Sequence, residues 1–222
     1  MVQKQIVIIA QNDTDTAYAQ GVYHVVNNIL RSCGVQDKYQ VFYQKNHPMV
    51  SALVNRGIYL AEQQKRYTQR GFYQINAEPI ISGMLDYNDV NPNTELLMVM
   101  RDSIYAQNLN YFLGVNSKRL SQRDLLSNAT IISMGKNSPY AMDGLTFQSV
   151  LMHELGHRFG TTDIWNRKKG ELYDYPQLGR HCLTPGCIMN VTNSLRDGQV
   201  AAQRQATFCP GCMTAMKKEL SR

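Results

Sequence analysis

The chain has 222 residues, enough to bury one core and carry a small appended subdomain. Hydrophobic residues make up 43% and charged residues 18%, which suits a folded globular protein and excludes long disorder. The net charge of +6, with a pI of about 9.1, comes from scattered Lys and Arg whose densest runs, Arg167-Lys168-Lys169 and Lys217-Lys218, are short. That pattern reads as a solvated surface, not a nucleic-acid face.

The first apolar run, residues 6–10, reads as a buried strand and is too short for the core of a signal peptide. No segment approaches the roughly 18 apolar residues needed to span a bilayer. The expected compartment is therefore the cytoplasm. Residues 17–33 carry Val22, Val25, Val26, Ile29 and Leu30 at helical spacing, with Gly34 placed to stop the helix. Residues 39–43 alternate as a second strand, and residues 50 to about 69 read as another helix ending before Gly71. Residues 96–100 form a strongly apolar strand that residues 98–105 extend. Residues 111–115 and 130–134 are further short strands. The segment 109–118 sits too close to both neighbours for helical crossovers, so an antiparallel run at a sheet edge is expected there. Residues 135–144 read as a loop. A helix follows over 145–159, with Asp143 or Thr146 to cap its start and Gly160 its end. Regular periodicity then fades until residues 199–208 and a C-terminal tail. The alternation of strands and helices implies an α/β fold: an open, mostly parallel twisted sheet with helices packed on it.

The helix over 145–159 carries His153-Glu154-Leu155-Gly156-His157. Residues four apart on a helix share one face, so the two imidazoles can grip one metal ion from the same side. Glu154 is rotated about 100° from His153, which sets its carboxylate beside the metal, within reach of a bound water. Zinc lowers the pKa of such a water to about 7, and a carboxylate can take its proton. A five-residue pattern with three fixed positions also arises by chance, but strand, loop and a capped helix around it favour the metal reading.

Four of the five cysteines lie in the last forty-one residues: Cys182, Cys187, Cys209 and Cys212. Two close pairs without a signal peptide favour a four-thiolate structural zinc over disulfides. Cys33, alone at a helix end, reads as a buried small hydrophobe. His24 and His47 lack metal-ligand spacing, and neither a phosphate-binding glycine loop nor a serine nucleophile elbow is present.

The helix continues as HExxHxxG, which resembles the metzincin signature. The third ligand of that signature follows three residues after the glycine, where this chain has Asp163. The combination with the cysteines is similar to the archaemetzincin family, whose pattern is HExxHxxGxxHC, four residues, Cys-x-Met and a distant Cys-x-x-Cys. The resemblance covers residues 153–212 by motif. It implies a compact, largely cytoplasmic zinc peptidase with a catalytic zinc beside a four-cysteine zinc, and Met189 forming a turn beneath the catalytic metal. The strand order before the helix also fits the metzincin upper subdomain.

Between Gly160 and His181-Cys182 this chain carries roughly eighteen more residues than that pattern allows. Asp163 keeps the position after the glycine, and His181 keeps the position before the first knuckle cysteine. His181 is favoured as third ligand because the block from His181 to Met189 keeps the family's internal spacing; Asp163 is the alternative. Residues 161–180 would then be a surface insertion holding Trp165, Tyr173 and Tyr175. The expected architecture is an upper metzincin-like part, residues 1–160, and a lower part, residues 161–222, organised by the second zinc. Peptide would lie along the edge strand near residues 109–118. The expected activity is hydrolysis of peptides or proteins, with two zinc ions, no membrane and no nucleic-acid partner. The rival expectation is a non-catalytic zinc module that contacts nucleic acid or a protein through a basic surface. Glu154 speaks against it, since a structural site has no use for that carboxylate.

Overall fold

The computed structural model describes residues 3–11, 16–45, 47–65, 71, 74–90, 93–106, 109–112, 114–116, 129–135, 142–161, 172–175, 179–182, 184–190 and 195–221. In chain order its elements are β1 Lys4–Ala10, α1 Thr16–Ser32, β2 Tyr39–Gln44, α2 Pro48–Gln63, β3 Ile75–Asn76, α3 Glu78–Val90, β4 Thr94–Met100, β5 Ile104–Ala106, β6 Leu109–Phe112, β7 Gly114–Asn116, β8 Ala129–Ser133, α4 Gly144–Arg158, β9 Leu172–Tyr175, β10 Gly179–Cys182, α5 Leu195–Gln203 and α6 Pro210–Leu220. Two compact units emerge: residues 1–23 with 39–142, and residues 24–38 with 143–222. The boundary falls between Met142 and Asp143, so α4 groups with the segments that follow it, whereas a division at residue 160 would separate them.

The first unit is built on a five-stranded sheet in the order β2-β1-β4-β8-β7. The first four strands are parallel and β7 runs antiparallel to β8 at the edge. β4 ends in five consecutive buried residues and β8 is buried throughout. Burial of successive residues marks parallel strands covered on both faces. β2 alternates instead, as an edge strand does. Val50 and Val54 of α2 and Ile80, Ile81, Met84 and Leu85 of α3 pack with Val7, Ile9, Leu96, Met98 and Ile131 of the sheet into one core. Gly57 sits mid-helix in α2 because β3 passes close by: a Cβ there would lie 2.7 Å from the Asn76 carbonyl oxygen. The α/β architecture with a mostly parallel sheet and an antiparallel edge strand is as the sequence indicates.

Several element readings need correction. The strand expected over 98–105 is two strands in different sheets. β4 stops at Met100 because the Gln11 side chain captures the turn that follows. Its Oε1 accepts from the Arg101 and Asp102 amides, and its Nε2 donates to Asp102 Oδ2 at 2.7 Å. The chain then re-enters as β5, in a three-stranded sheet ordered β3-β5-β6. The antiparallel edge over 109–118 is divided likewise: β6 pairs with β5, and β7 with β8. α2 ends at Gln63, ahead of the expected limit. Helix α3 was not anticipated, although its apolar residues have helical spacing; Pro79 and Gly83 weaken the signal. The C-terminal tail is helix α6. α1 ends as expected. Gly34 has φ 66°, its N–H donates to the Arg31 carbonyl, and the Val35 N–H reaches back to Leu30 at 3.0 Å, a Schellman closure.

The second unit has less regular structure. α4 packs with α5, β9 and β10 form an antiparallel hairpin, and a small core gathers Cys182, Cys187, Ile188, Met189 and Cys212. No helix among the described residues is long and apolar enough to cross a membrane.

Candidate metal centre

The start of α4 is fixed locally. Asp143 is its N-cap, accepting the Thr146 amide at 2.7 Å, and that hydrogen bond holds the Asp143 carboxyl below its ordinary range. From His153 onward every described residue of the helix is buried, which is why this turn lacks an amphipathic stripe. Gly160 ends it with φ 85°, and the Thr161 hydroxyl donates to the Gly156 carbonyl at 2.9 Å.

His153 and His157 face each other one turn apart. Their Nε2 atoms are 3.0 Å apart and the rings stand at 79°. The Nδ1 of His153 lies 2.8 Å from the Ile188 carbonyl oxygen. A carbonyl only accepts, so Nδ1 carries the proton and the Nε2 lone pair points toward His157. A lone pair aimed at a second ring nitrogen at that distance calls for a shared proton or a shared cation. Two imidazoles on a tetrahedral zinc would stand about 3.3 Å apart, given Zn–N of about 2.0–2.1 Å. The pair therefore fits that ion, and the Nδ1 bond is the outer-shell contact that metal-binding histidines make. Glu154 is buried beside them, at 7% exposure.

Met189 is fully buried and packs against the same helix at Gly156. A Cβ on Gly156 would run into Met189 Sδ and stand 2.8 Å from Phe208 Cε1. Glycine in the middle of the motif is thus a packing requirement, which lets the Met189 segment approach the helix. The Met189 carbonyl accepts from the Cys182 amide at 2.8 Å.

The four cysteines converge. Their Sγ atoms all lie within 4.8 Å of one another, with Cys182–Cys209 and Cys187–Cys212 each at 3.8 Å. A disulfide needs about 2.05 Å, whereas four thiolates around a zinc at about 2.3 Å stand about 3.8 Å apart. The Thr184 amide points at Cys182 Sγ and the Cys209 amide at Cys187 Sγ, as suits anionic sulfur. Cys209 and Cys212 lie at the positive N-terminal end of α6. The contact between the Cys187 and Cys212 sulfurs holds Cys187 low and pushes Cys212 up, and burial raises Cys182. Donor set and spacing fit a zinc ion.

His181 lies in β10, its backbone opposite Tyr173 of β9, and β9 falls within the expected insertion over residues 161–180. Its side chain, Asp163 and Trp165 lie outside the described residues. Cys33 is buried at the end of α1, and His47 caps α2 in the first unit. The part of Ile188 was not legible in advance: it contributes a main-chain carbonyl, which leaves no mark on the sequence.

No protein-family model matches the chain. It is 24% identical over 153 residues to the archaemetzincin of Saccharolobus solfataricus, covering 65% of this chain and 67% of that one. The crystal structure of archaemetzincin from Methanopyrus kandleri superposes with a TM-score of 0.55 at 17% identity, over 99% of this chain and 97% of the other. A zinc-dependent peptidase from Methanocorpusculum labreanum superposes with a TM-score of 0.51 at 17% identity, over 95% and 99%. The chain is archaemetzincin-like, and its fold is that of these structures.

Proposed function

We propose that this chain is a zinc-dependent peptidase acting on peptides or proteins. His153 and His157 hold the catalytic zinc with His181 as third ligand, Asp163 being the alternative. Cys182, Cys187, Cys209 and Cys212 hold a second, structural zinc. The similar proteins support the class: one is an archaemetzincin by sequence, and the superposed structures are an archaemetzincin and a zinc-dependent peptidase. The observation that carries the reading is the His153–His157 pair, with Nε2 atoms at 3.0 Å and one ring fixed by the Ile188 carbonyl.

Zinc bound there supplies Lewis acidity, lowering the pKa of a water to about 7 and polarising a carbonyl. The rest falls to the chain. Glu154 accepts the proton of the attacking water and returns it to the departing amine nitrogen. Its burial excludes bulk water from that transfer. Met189 packs against Gly156 and keeps the floor of the site apolar.

The test is Glu154→Ala. The variant should keep its zinc and lose about three orders of magnitude in peptide turnover, within the 10²–10⁴ that a general base contributes. Turnover equal to that of the parent chain would remove Glu154 from the mechanism.

A further inference from the structure

We propose that occupancy of the four-cysteine site sets the metal affinity of the histidine pair, with the Ile188 carbonyl as the positioning group between them. The inference rests on reading His153 and His157 as metal ligands. Ile188 stands between Cys187 and Met189, so the loop that carries a knuckle cysteine also carries the acceptor for His153. That loop is tied on both sides by cysteine-bearing segments. The Ile188 amide donates to the Thr207 carbonyl at 2.8 Å, two residues before Cys209, and the Cys182 amide donates to the Met189 carbonyl at 2.8 Å. The Cys209 amide in turn donates to Cys187 Sγ. A cation shared by the four sulfurs draws these segments together and fixes Ile188 in place. Without one, these hydrogen bonds and the thiol contacts hold the segments alone, and the acceptor for His153 Nδ1 has more freedom to shift.

The direction follows. An outer-shell partner of a metal-binding histidine changes affinity about 10–100-fold. Filling the cysteine site should therefore raise affinity at the histidine pair by a factor in that range. By linkage, filling the histidine pair must raise affinity at the cysteines by the same factor. Scarcity of a thiophilic metal would then weaken metal binding at the histidine site by the same factor.

The experiment uses the full chain, reduced and metal-free. One equivalent of cadmium, which prefers thiolates, fills the cysteine site of the parent chain. The cadmium-free comparison is the Cys209→Ser/Cys212→Ser chain, so that cobalt cannot fill that site, and cobalt(II) is titrated against both by the visible absorption of nitrogen-bound cobalt. Cobalt should bind at least about tenfold more tightly with cadmium present than without it. Equal affinities would overturn the coupling while leaving the metal centre intact. Failure to bind cobalt in either state would overturn both. Ring-nitrogen NMR of the cadmium-loaded, cobalt-free chain supplies a second readout. The His153 Nδ1 proton should be protected from exchange, and removing cadmium should expose it while the α4 amides stay dispersed. Collapse of the α4 amides together with the ring signal would mean that metal loss merely unfolds this unit, and would overturn the relay through Ile188.

Discussion

The two side-chain clusters of the second unit have opposite constructions. The four cysteines come from two well-separated stretches of chain and converge with all their donors present, sulfurs 3.8 Å apart in pairs. The histidines come from one turn of one helix and supply two donors, with a carboxylate next to them. A closed set of four donors ties distant segments together, so a metal held there would contribute to folding. An open set leaves positions for a water and a substrate, so a metal held there would contribute to chemistry. What separates the clusters is therefore how many chain segments each one joins, more than which metal each prefers.

The largest expected effect tests that contrast directly. Metal at a structural thiolate site contributes directly to folding free energy, and metal at an open site contributes less. Cys209→Ser should accordingly lower the thermal midpoint far more than His153→Ala, which removes one buried hydrogen bond and an open site. Scanning calorimetry of the two zinc-loaded variants decides it, and equal midpoints would erase the distinction.

The next effect concerns how the open site is completed. His181→Ala should remove most of the metal from the histidine pair, while Asp163→Ala should leave it bound. Metal analysis with the cysteine-bound ion counted separately reads this out, and loss from the Asp163 variant alone would reverse the assignment. A carboxylate ligand would neutralise part of the ion's charge and raise the pKa of its water.

Gly156→Ala probes the ground common to both clusters. The added methyl meets Met189 and Phe208, and overpacking of this kind costs about 1–3 kcal/mol. Metal retention at both sites should fall together; a change confined to the histidines would show that Met189 yields without disturbing the cysteine loop. The smallest effect belongs to the cap of α4. Asp143→Ala should cost about 1 kcal/mol. The Asp143 carboxyl is held low by the Thr146 amide. Its contribution should therefore be complete above the ordinary carboxylate pKa of about 3.9 and disappear as the pH falls through the lowered folded-state value. Melting of parent and variant at about pH 6 and about pH 3 should show the gap closing in acid.

The sequence by itself determined the elements whose signal is local. The apolar runs of β1 and β4 marked buried strands, the alternation of strands and helices implied a mostly parallel sheet, Gly34 and Gly160 marked helix ends, and the four-residue spacing of His153 and His157 put two donors on one face. The pairing of Cys182 and Cys187 with Cys209 and Cys212 was legible as well, because thiols grouped in that spacing have few other uses. Tertiary structure decided what depends on main-chain groups meeting at long range. Gln11 ends β4 from ninety residues away, so the partner that captures the turn after Met100 could not be read from the local sequence. Ile188 serves His153 through a carbonyl that any residue would supply. Gly156 owes its identity to Met189 and Phe208, which arrive from other segments. Side-chain patterns are written residue by residue, whereas backbone hydrogen bonds and close approaches exist only once the chain has folded.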